Sequence, residues 1–375
     1  MINNHKFIVF ALDHYNPLGV IRSLGENGIS PVFIAVKHRM DLGAKSKYVS
    51  ECHKVESVEE GYKLLLEKYG NEKENLPFLI TCDDRTTGYL DEHYDELAGR
   101  FIFFNAGKKG RIEEYMDKNN ILEAAKRHGL KVLETRVVNH GEVPGDLEYP
   151  IITKSISPNV GGWKSDVHIC HSADELREAY GKIEAPQVLI QKYIEKKNEY
   201  CLDGYCADNG KVMFHAIASV YNYLIPGYYS PYMTVLEVKD KEMKKSLESL
   251  MADIGFEGIY SIEFLIDKDD NYYFSEINFR NSTWSYASTK AGMPLPVLWA
   301  ESMLSKTIDD RNYKAIPDGF TAMVEPVDYA KRVDAGTIEA ADWLIDFKEA
   351  NCAFYYSADD PEPFREAVRN WKKLG

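Results

Sequence analysis

Residues 6–108 alternate short apolar runs with amphipathic stretches. Residues 7–12, 31–36, 78–82 and 101–105 read as strands, and the intervening polar-apolar stretches read as helices. That alternation is the rhythm of a parallel sheet. A helix is expected over 18–27, closed by Gly28, and Ser57-Val-Glu-Glu60 resembles a capping box that opens a helix ending at Gly70. Ligands at such sheets sit beyond the C-terminal ends of the strands, which singles out the loops Asp13 to Gly19 and Asp83 to Gly88. The first loop lacks spaced glycines, so a dinucleotide fingerprint is absent.

The pattern breaks at Lys108-Lys-Gly-Arg111, and a helix over 117–128 stopped by Gly129 begins a second unit. Strands are expected there over 149–156, 167–170, 187–193, 199–207 and 212–220, with helices over 172–183 and 240–254 and a further capping box at Ser172-Ala-Asp-Glu175. This is an α+β arrangement. The tail from 311 carries apolar runs at 320–324 and 343–348 and a final amphipathic helix with Phe364, Val368 and Trp371, read as a small appended domain. The expected units are therefore 1–108, Rossmann-like; 109–310, with a lid-like part at about 149–193; and 311–375.

A two-strand pattern between Gly258 and Arg280 carries candidate chemistry. Alternation puts Tyr260, Ile262, Phe264 and Ile266 on one face, and a symmetric turn centred between Asp269 and Asp270 pairs them with Phe279, Ile277, Ser275 and Tyr273. On the other face Glu263 then stands opposite Glu276, Ser261 opposite Asn278, and Ile259 opposite Arg280. Like charges directly opposed destabilise a strand pair by up to about 1 kcal/mol. A hard cation reverses that sign. Magnesium takes oxygen ligands in an octahedron and commonly uses one or two carboxylates plus substrate phosphates, a role that Glu263, Glu276 and the Asn278 amide oxygen suit.

Composition narrows the classes. A chain of 375 residues is long enough for two or three domains. Lys and Arg total 45 against 59 Asp and Glu, a net charge of −14, and no basic run occurs, so nucleic acid is not an expected partner. The six cysteines form no Cys-x-x-Cys and read as reduced thiols. No apolar run reaches 18 residues, which gives the expectation of a soluble, cytoplasmic protein without a membrane partner.

Phosphate-handling elements precede the hairpin. The strand 150–154 ends on Lys154 and leads into a loop with Gly161, Gly162 and Lys164, where backbone N–H groups and ammonium charges can cradle phosphate. The loop does not match the Walker pattern. Gln191, Lys192, Tyr193 and Ile194 run from an apolar strand into a polar edge that could hold adenine through its backbone, with Glu199 placed to accept from ribose hydroxyls.

Taken in order, Asp117-Lys118, Lys154 with Gly161-Gly162, Gln191 to Ile194 with Glu199, and Glu263, Glu276 and Asn278 resemble the ATP-grasp superfamily. Residues 275–294 look like the corresponding segment of carbamoyl-phosphate synthase large subunits, and the thirteen-residue step from Glu263 to Glu276 matches D-alanine:D-alanine ligases. The resemblance covers residues 6–305 and implies an ATP-grasp fold, α/β and α+β, with a Rossmann-like domain before it. It implies that Lys118 and Lys154 contact ATP phosphates, that Gln191 to Ile194 line the adenine pocket, and that Glu199 binds ribose. Glu263, Glu276 and Asn278 would hold one or two magnesium ions, with manganese as a substitute, and Arg280 would sit where charge develops. Two departures stand out: Trp163 in a loop usually built of small residues, and Phe279 where a proline often follows the asparagine.

The implied activity is an ATP-dependent carboxylate-amine ligase that activates a small-molecule carboxylate, such as an amino acid, as an acyl phosphate, in the manner of D-aspartate and dipeptide ligases. A phosphotransferase on the same fold and a non-catalytic ATP-binding regulator are the alternatives. No Ser-His-Asp or Cys-His set is evident, and His14 and His215 are isolated. Substrate contacts are expected from Asp13 to Gly19, Asp83 to Arg85 and Tyr228 to Tyr232. The partners are a small carboxylate and an amine, with a homodimer left open.

Overall fold

In the computed structural model, which describes residues 2–37, 41–156, 163–227 and 229–370, the strands gather into three sheets. The first is parallel, in the order β3-β2-β1-β4-β5, from β1 (Phe7–Leu12), β2 (Val32–Val36), β3 (Glu51–Val55), β4 (Phe78–Thr81) and β5 (Ile102–Phe103). β1 and β2 are fully apolar because helices cover both faces. β3 escapes the sequence pattern because it is a largely exposed edge reading Glu-Cys-His-Lys-Val. The helix Tyr15–Gly25 starts three residues before the expected position and buries Asn16 and Arg22 among its apolar residues.

Both expected capping boxes form in half. Ser57 accepts from the Glu60 N–H and Ser172 from the Glu175 N–H. The returning carboxylates, however, accept from Glu56 N and His171 N, one residue before each cap.

The second sheet is antiparallel, in the order β6-β9-β7-β8: β6 (Thr135–Asn139), β7 (Ile151–Ser155), β8 (Ile169–Cys170) and β9 (Gln187–Lys192). It packs on the helix Ala173–Tyr180 around Val138, Ile151, Leu176 and Val188. The third sheet has seven strands in the order β14-β13-β10-β11-β12-β15-β16. These are β10 (Asn198–Ala207), β11 (Val212–Tyr221), β12 (Tyr232–Leu236), β13 (Gly258–Ile266), β14 (Tyr272–Asn278), β15 (Thr321–Met323) and β16 (Cys352–Ala353).

The tail read from sequence as a small appended domain thus hands two strands to this sheet, β15 against β12 and β16 parallel to β15. One apolar core runs from the first sheet into the seven-stranded sheet. Trp299, fully buried on the helix Leu295–Ser305, crosses Phe78 and Phe104 edge-on at 5.6 and 4.9 Å and ties the two together. Among the described residues no helix is long and apolar enough to cross a membrane.

Candidate active site

Glu263 and Glu276 face each other across β13 and β14, and Ser261 faces Asn278. Toward the turn the expected register fails: Phe264 pairs with Phe274 and Ile266 with Tyr272, a slip of one residue. The turn is not symmetric. The Asp267 carboxylate accepts from Asp269 N and Asn271 N, both at 2.9 Å, and Asp270 takes a positive φ. The extra residue falls in β14, where the slip buries Phe274 against Phe264 and leaves Ser275 lining the cavity beside Glu276. β14 also ends at Asn278, so Arg280 is not paired with Ile259 as expected.

Arg280 reaches the site by another route. It donates to Asp84 through two nitrogens at 2.7 and 3.1 Å, and to Asn278 Oδ1 at 2.9 Å. Asn278 Nδ2 in turn donates to Glu263 Oε1 at 3.0 Å. Asp84 opens the helix Asp84–Glu92 beyond β4, so the parallel sheet's C-terminal edge aims the arginine. Asp83 is the helix N-cap and accepts from Thr86 N and Leu12 N, a structural role. Asp84, expected from the sequence as a substrate contact, is instead the partner that orients the arginine.

Lys118, first residue of the helix Lys118–Arg127, which Gly129 closes at a φ of +83°, donates to Glu276 Oε2 at 3.1 Å. The pair of carboxylates is therefore split. Burial first, and Glu276 second, push Glu263 above the usual carboxylate range, while Lys118 holds Glu276 below it. Lys154, on β7, donates to Gln191 Oε1 at 2.9 Å, and Gln191 Nε2 donates to Thr135 Oγ1 at 3.0 Å. Desolvation lowers the Lys154 ammonium, and Glu276 offsets part of that. Glu199 accepts from the Tyr221 hydroxyl at 2.6 Å and pairs with Lys196.

These groups lie along two connected cavities. The larger, about 720 Å³, is lined by Lys118, Lys154, Gln191 to Ile194, Glu199, Glu263 and Glu276. The Lys192 and Tyr193 N–H groups are spent inside the fold, on Glu134 O and Pro150 O. The smaller, about 520 Å³, carries Asn278 and Arg280, and the two share Lys196, Glu199, Gly227, Glu263 and Glu276. Among the described residues no group of three or more His, Cys, Asp or Glu side chains gathers to hold a metal ion. The hairpin offers two carboxylates and an amide, a partial shell of hard oxygens that fits magnesium completed by phosphate and water.

No protein-family model matches the chain. Over 235 residues it is 25% identical to the carbamoyl phosphate synthase large chain of Vibrio cholerae, a match that takes in 58% of this chain and spans only 20% of that relative's length. The N5-carboxyaminoimidazole synthetase from Staphylococcus aureus, solved with ADP, superposes with a TM-score of 0.62 at 17% identity, over 84% of this chain and 81% of that one. The L-amino acid ligase from Bacillus licheniformis gives a TM-score of 0.59 at 14% identity, over 80% and 74%. The chain has the ATP-grasp fold.

Within this ATP-grasp fold, Gly161 and Gly162 lie outside the described residues, as do the side chains of Trp163 and Lys164. Of the expected substrate loops, Asp13 is used internally, accepting from Gly43 N at 2.8 Å. Asn16 likewise bonds Cys82 O and Asn281 O, but Tyr15 lines the smaller cavity. Tyr228 is outside the described residues, whereas its neighbour Tyr229 lines that cavity with Trp284. His215 is buried against Tyr260 and lines neither cavity.

Proposed function

We propose that the protein is an ATP- and magnesium-dependent carboxylate-amine ligase. The observation that carries this reading is the position of Glu263 and Glu276, the latter paired with Lys118 of the larger cavity, at the seam of a cavity sized for a nucleotide and a second cavity sized for a small substrate. Lys118 and Lys154 supply the charge that the phosphates need, and Gln191 aims Lys154 by occupying its ammonium. Tyr193 and Ile194 flank the base, and Glu199 receives ribose hydroxyls once Lys196 turns away from it. Glu263, Glu276 and Asn278 would hold magnesium, which when bound would neutralise phosphate charge. Arg280, fixed by Asp84, faces the transferring group from the substrate side.

In the reaction, a carboxylate oxygen attacks the γ-phosphorus, the β–γ bridging P–O bond breaks, and ADP leaves. The amine nitrogen then attacks the acyl carbon, phosphate leaves, and the amine proton passes to solvent. Positioning and charge neutralisation dominate such transfers, so the smaller cavity, whose lining holds no histidine, needs no side-chain base; His168 lines the larger one. Incubation with ATP, magnesium and an amino-acid panel tests the reading. Phosphate release that requires both a carboxylate and an amine is expected. A stable phosphorylated product without an amine requirement indicates a phosphotransferase, and nucleotide binding without turnover a regulator.

A further inference from the structure

The smaller cavity has an aromatic wall that phosphoryl transfer does not use. It is formed by Tyr15, which opens a helix of the first sheet, by Tyr229, before β12, and by Trp284, after β14. The Tyr15 and Tyr229 hydroxyls lie 2.7 Å apart, and Trp284 crosses Tyr229 edge-on with ring centres 6.4 Å apart. Behind this wall stand Phe354 and Tyr355, both buried. Phe354 meets Trp284 edge-on at 5.3 Å, and Tyr355 lies 5.1 Å from Tyr15.

Two buried charges of opposite sign grip the backbone of that segment. Glu325 accepts from Phe354 N at 2.9 Å, Tyr355 N at 3.0 Å and Tyr356 N at 2.7 Å. Arg22, fully buried, donates to Phe354 O at 3.0 Å and Tyr355 O at 2.9 Å, and pairs with Asp360 at 3.0 Å. Asp360 accepts in addition from Ser46 Oγ and Lys47 N, both at 2.8 Å. Burying a guanidinium and a carboxylate is costly unless every donor and acceptor is met, and here the segment 354–356 meets them from both of its faces. The clamp fixes residues whose rings back the wall of the cavity.

We propose that this wall receives the ring of an aromatic amino acid, and that the segment 354–356, clamped by Arg22 and Glu325, positions it. The inference rests on the ligase reading and names the substrate class of the same site. Ring edges and faces at these spacings favour an aromatic guest beyond simple area burial. A charged side chain, by contrast, finds no ionic partner in the wall itself, whose three side chains, Tyr15, Tyr229 and Trp284, carry no charge.

The test uses the full chain, titrated with L-phenylalanine, L-tryptophan, L-alanine, L-lysine and L-glutamate by calorimetry, with ADP release measured for each in the same preparation. The aromatic amino acids are expected to bind roughly tenfold more tightly than alanine. Phe354→Leu is expected to weaken phenylalanine binding, and to raise its KM, at least about threefold while leaving kcat and the KM for ATP unchanged. If a melting curve shows that this variant does not fold, Tyr229→Leu at the half-buried rim carries the same comparison. Equal affinity for alanine and phenylalanine, tightest binding of lysine or glutamate, or no binding by any of the five overturns the proposal. Aromatic binding without ADP release would leave the proposal standing and defeat the ligase reading, whereas ADP release without aromatic preference does the reverse.

Discussion

The two cavities that meet at Glu263 and Glu276 are assembled on different principles. The larger is polar in its working parts, and its ion pairs and hydrogen bonds are short-range and direct: Lys118 on Glu276, Lys154 on Gln191, Tyr221 on Glu199. Its residues come from strands and helix ends whose sequence context announces them, because phosphate and metal demand particular charges at particular spacings. The smaller cavity is walled by rings drawn from residues 15, 229 and 284 and backed by 354 and 355. Packing sets the shape of that wall, while the rest of the lining carries Arg280 and the charged groups shared with the larger cavity. On the proposed reading, the larger cavity is constrained by a ligand common to many enzymes, whereas the smaller would answer to the chain's own substrate.

That contrast can be broken from the nucleotide side first. Glu276→Gln keeps an acceptor for Lys118 but removes one of the two opposed charges, and ADP formation is expected to fall by at least about 100-fold with an unchanged melting temperature. Amino-acid binding in the smaller cavity should survive the change, which calorimetry reads directly. Asp84→Asn frees Arg280 from its two-point hold, and kcat is expected to drop by roughly 10- to 100-fold while the KM for ATP stays put. Gln191→Leu leaves the Lys154 ammonium without its partner, and a rise of about tenfold in the KM for ATP, with little change in kcat, is expected from initial rates.

The smallest effect concerns stability. Asp203, buried on β10 beneath Ser282 and Ser285, is pushed up to about 6 by desolvation. Its folded-state proton affinity exceeds the unfolded one, so its contribution to stability is full below the usual carboxylate range and is lost as pH rises toward 6. Denaturant melts of Asp203→Asn between pH 4 and 6 should differ from wild type by no more than about 1.4 kcal/mol per pH unit, with the variant relatively more stable at the higher pH.

Much of the hairpin was legible from the sequence. Counting residues around the hairpin turn put Glu263 opposite Glu276 and Ser261 opposite Asn278, as observed. The slip beyond them was not legible, because Asp267 reshapes the turn through side-chain hydrogen bonds that no alternation pattern records. Arg280 was placed at the site for the wrong reason: strand register was expected to deliver it, and Asp84, almost two hundred residues away in sequence, does so. β12 alternates buried and more exposed residues but was not read as a strand, only its first residue, Tyr232, falling in the expected substrate segment, and β6 was hidden by its polar ends, Thr135 and Asn139. The clamp on 354–356 left one faint signal, a lone arginine in the run Val20-Ile21-Arg22-Ser23-Leu24. Its partner Asp360 lies more than three hundred residues on, and only the fold joins them.

The central claim is that the hairpin carboxylates seat a magnesium nucleotide so that a substrate carboxylate, and nothing else, receives the phosphoryl group. Hydroxylamine trapping tests it most directly. With ATP, magnesium and an amino acid, the full chain is expected to form a hydroxamate in step with ADP, dependent on the carboxylate and abolished in Glu276→Gln. ADP accompanied by a stable phosphorylated product and no hydroxamate, or tight nucleotide binding with no ADP at all, would contradict it.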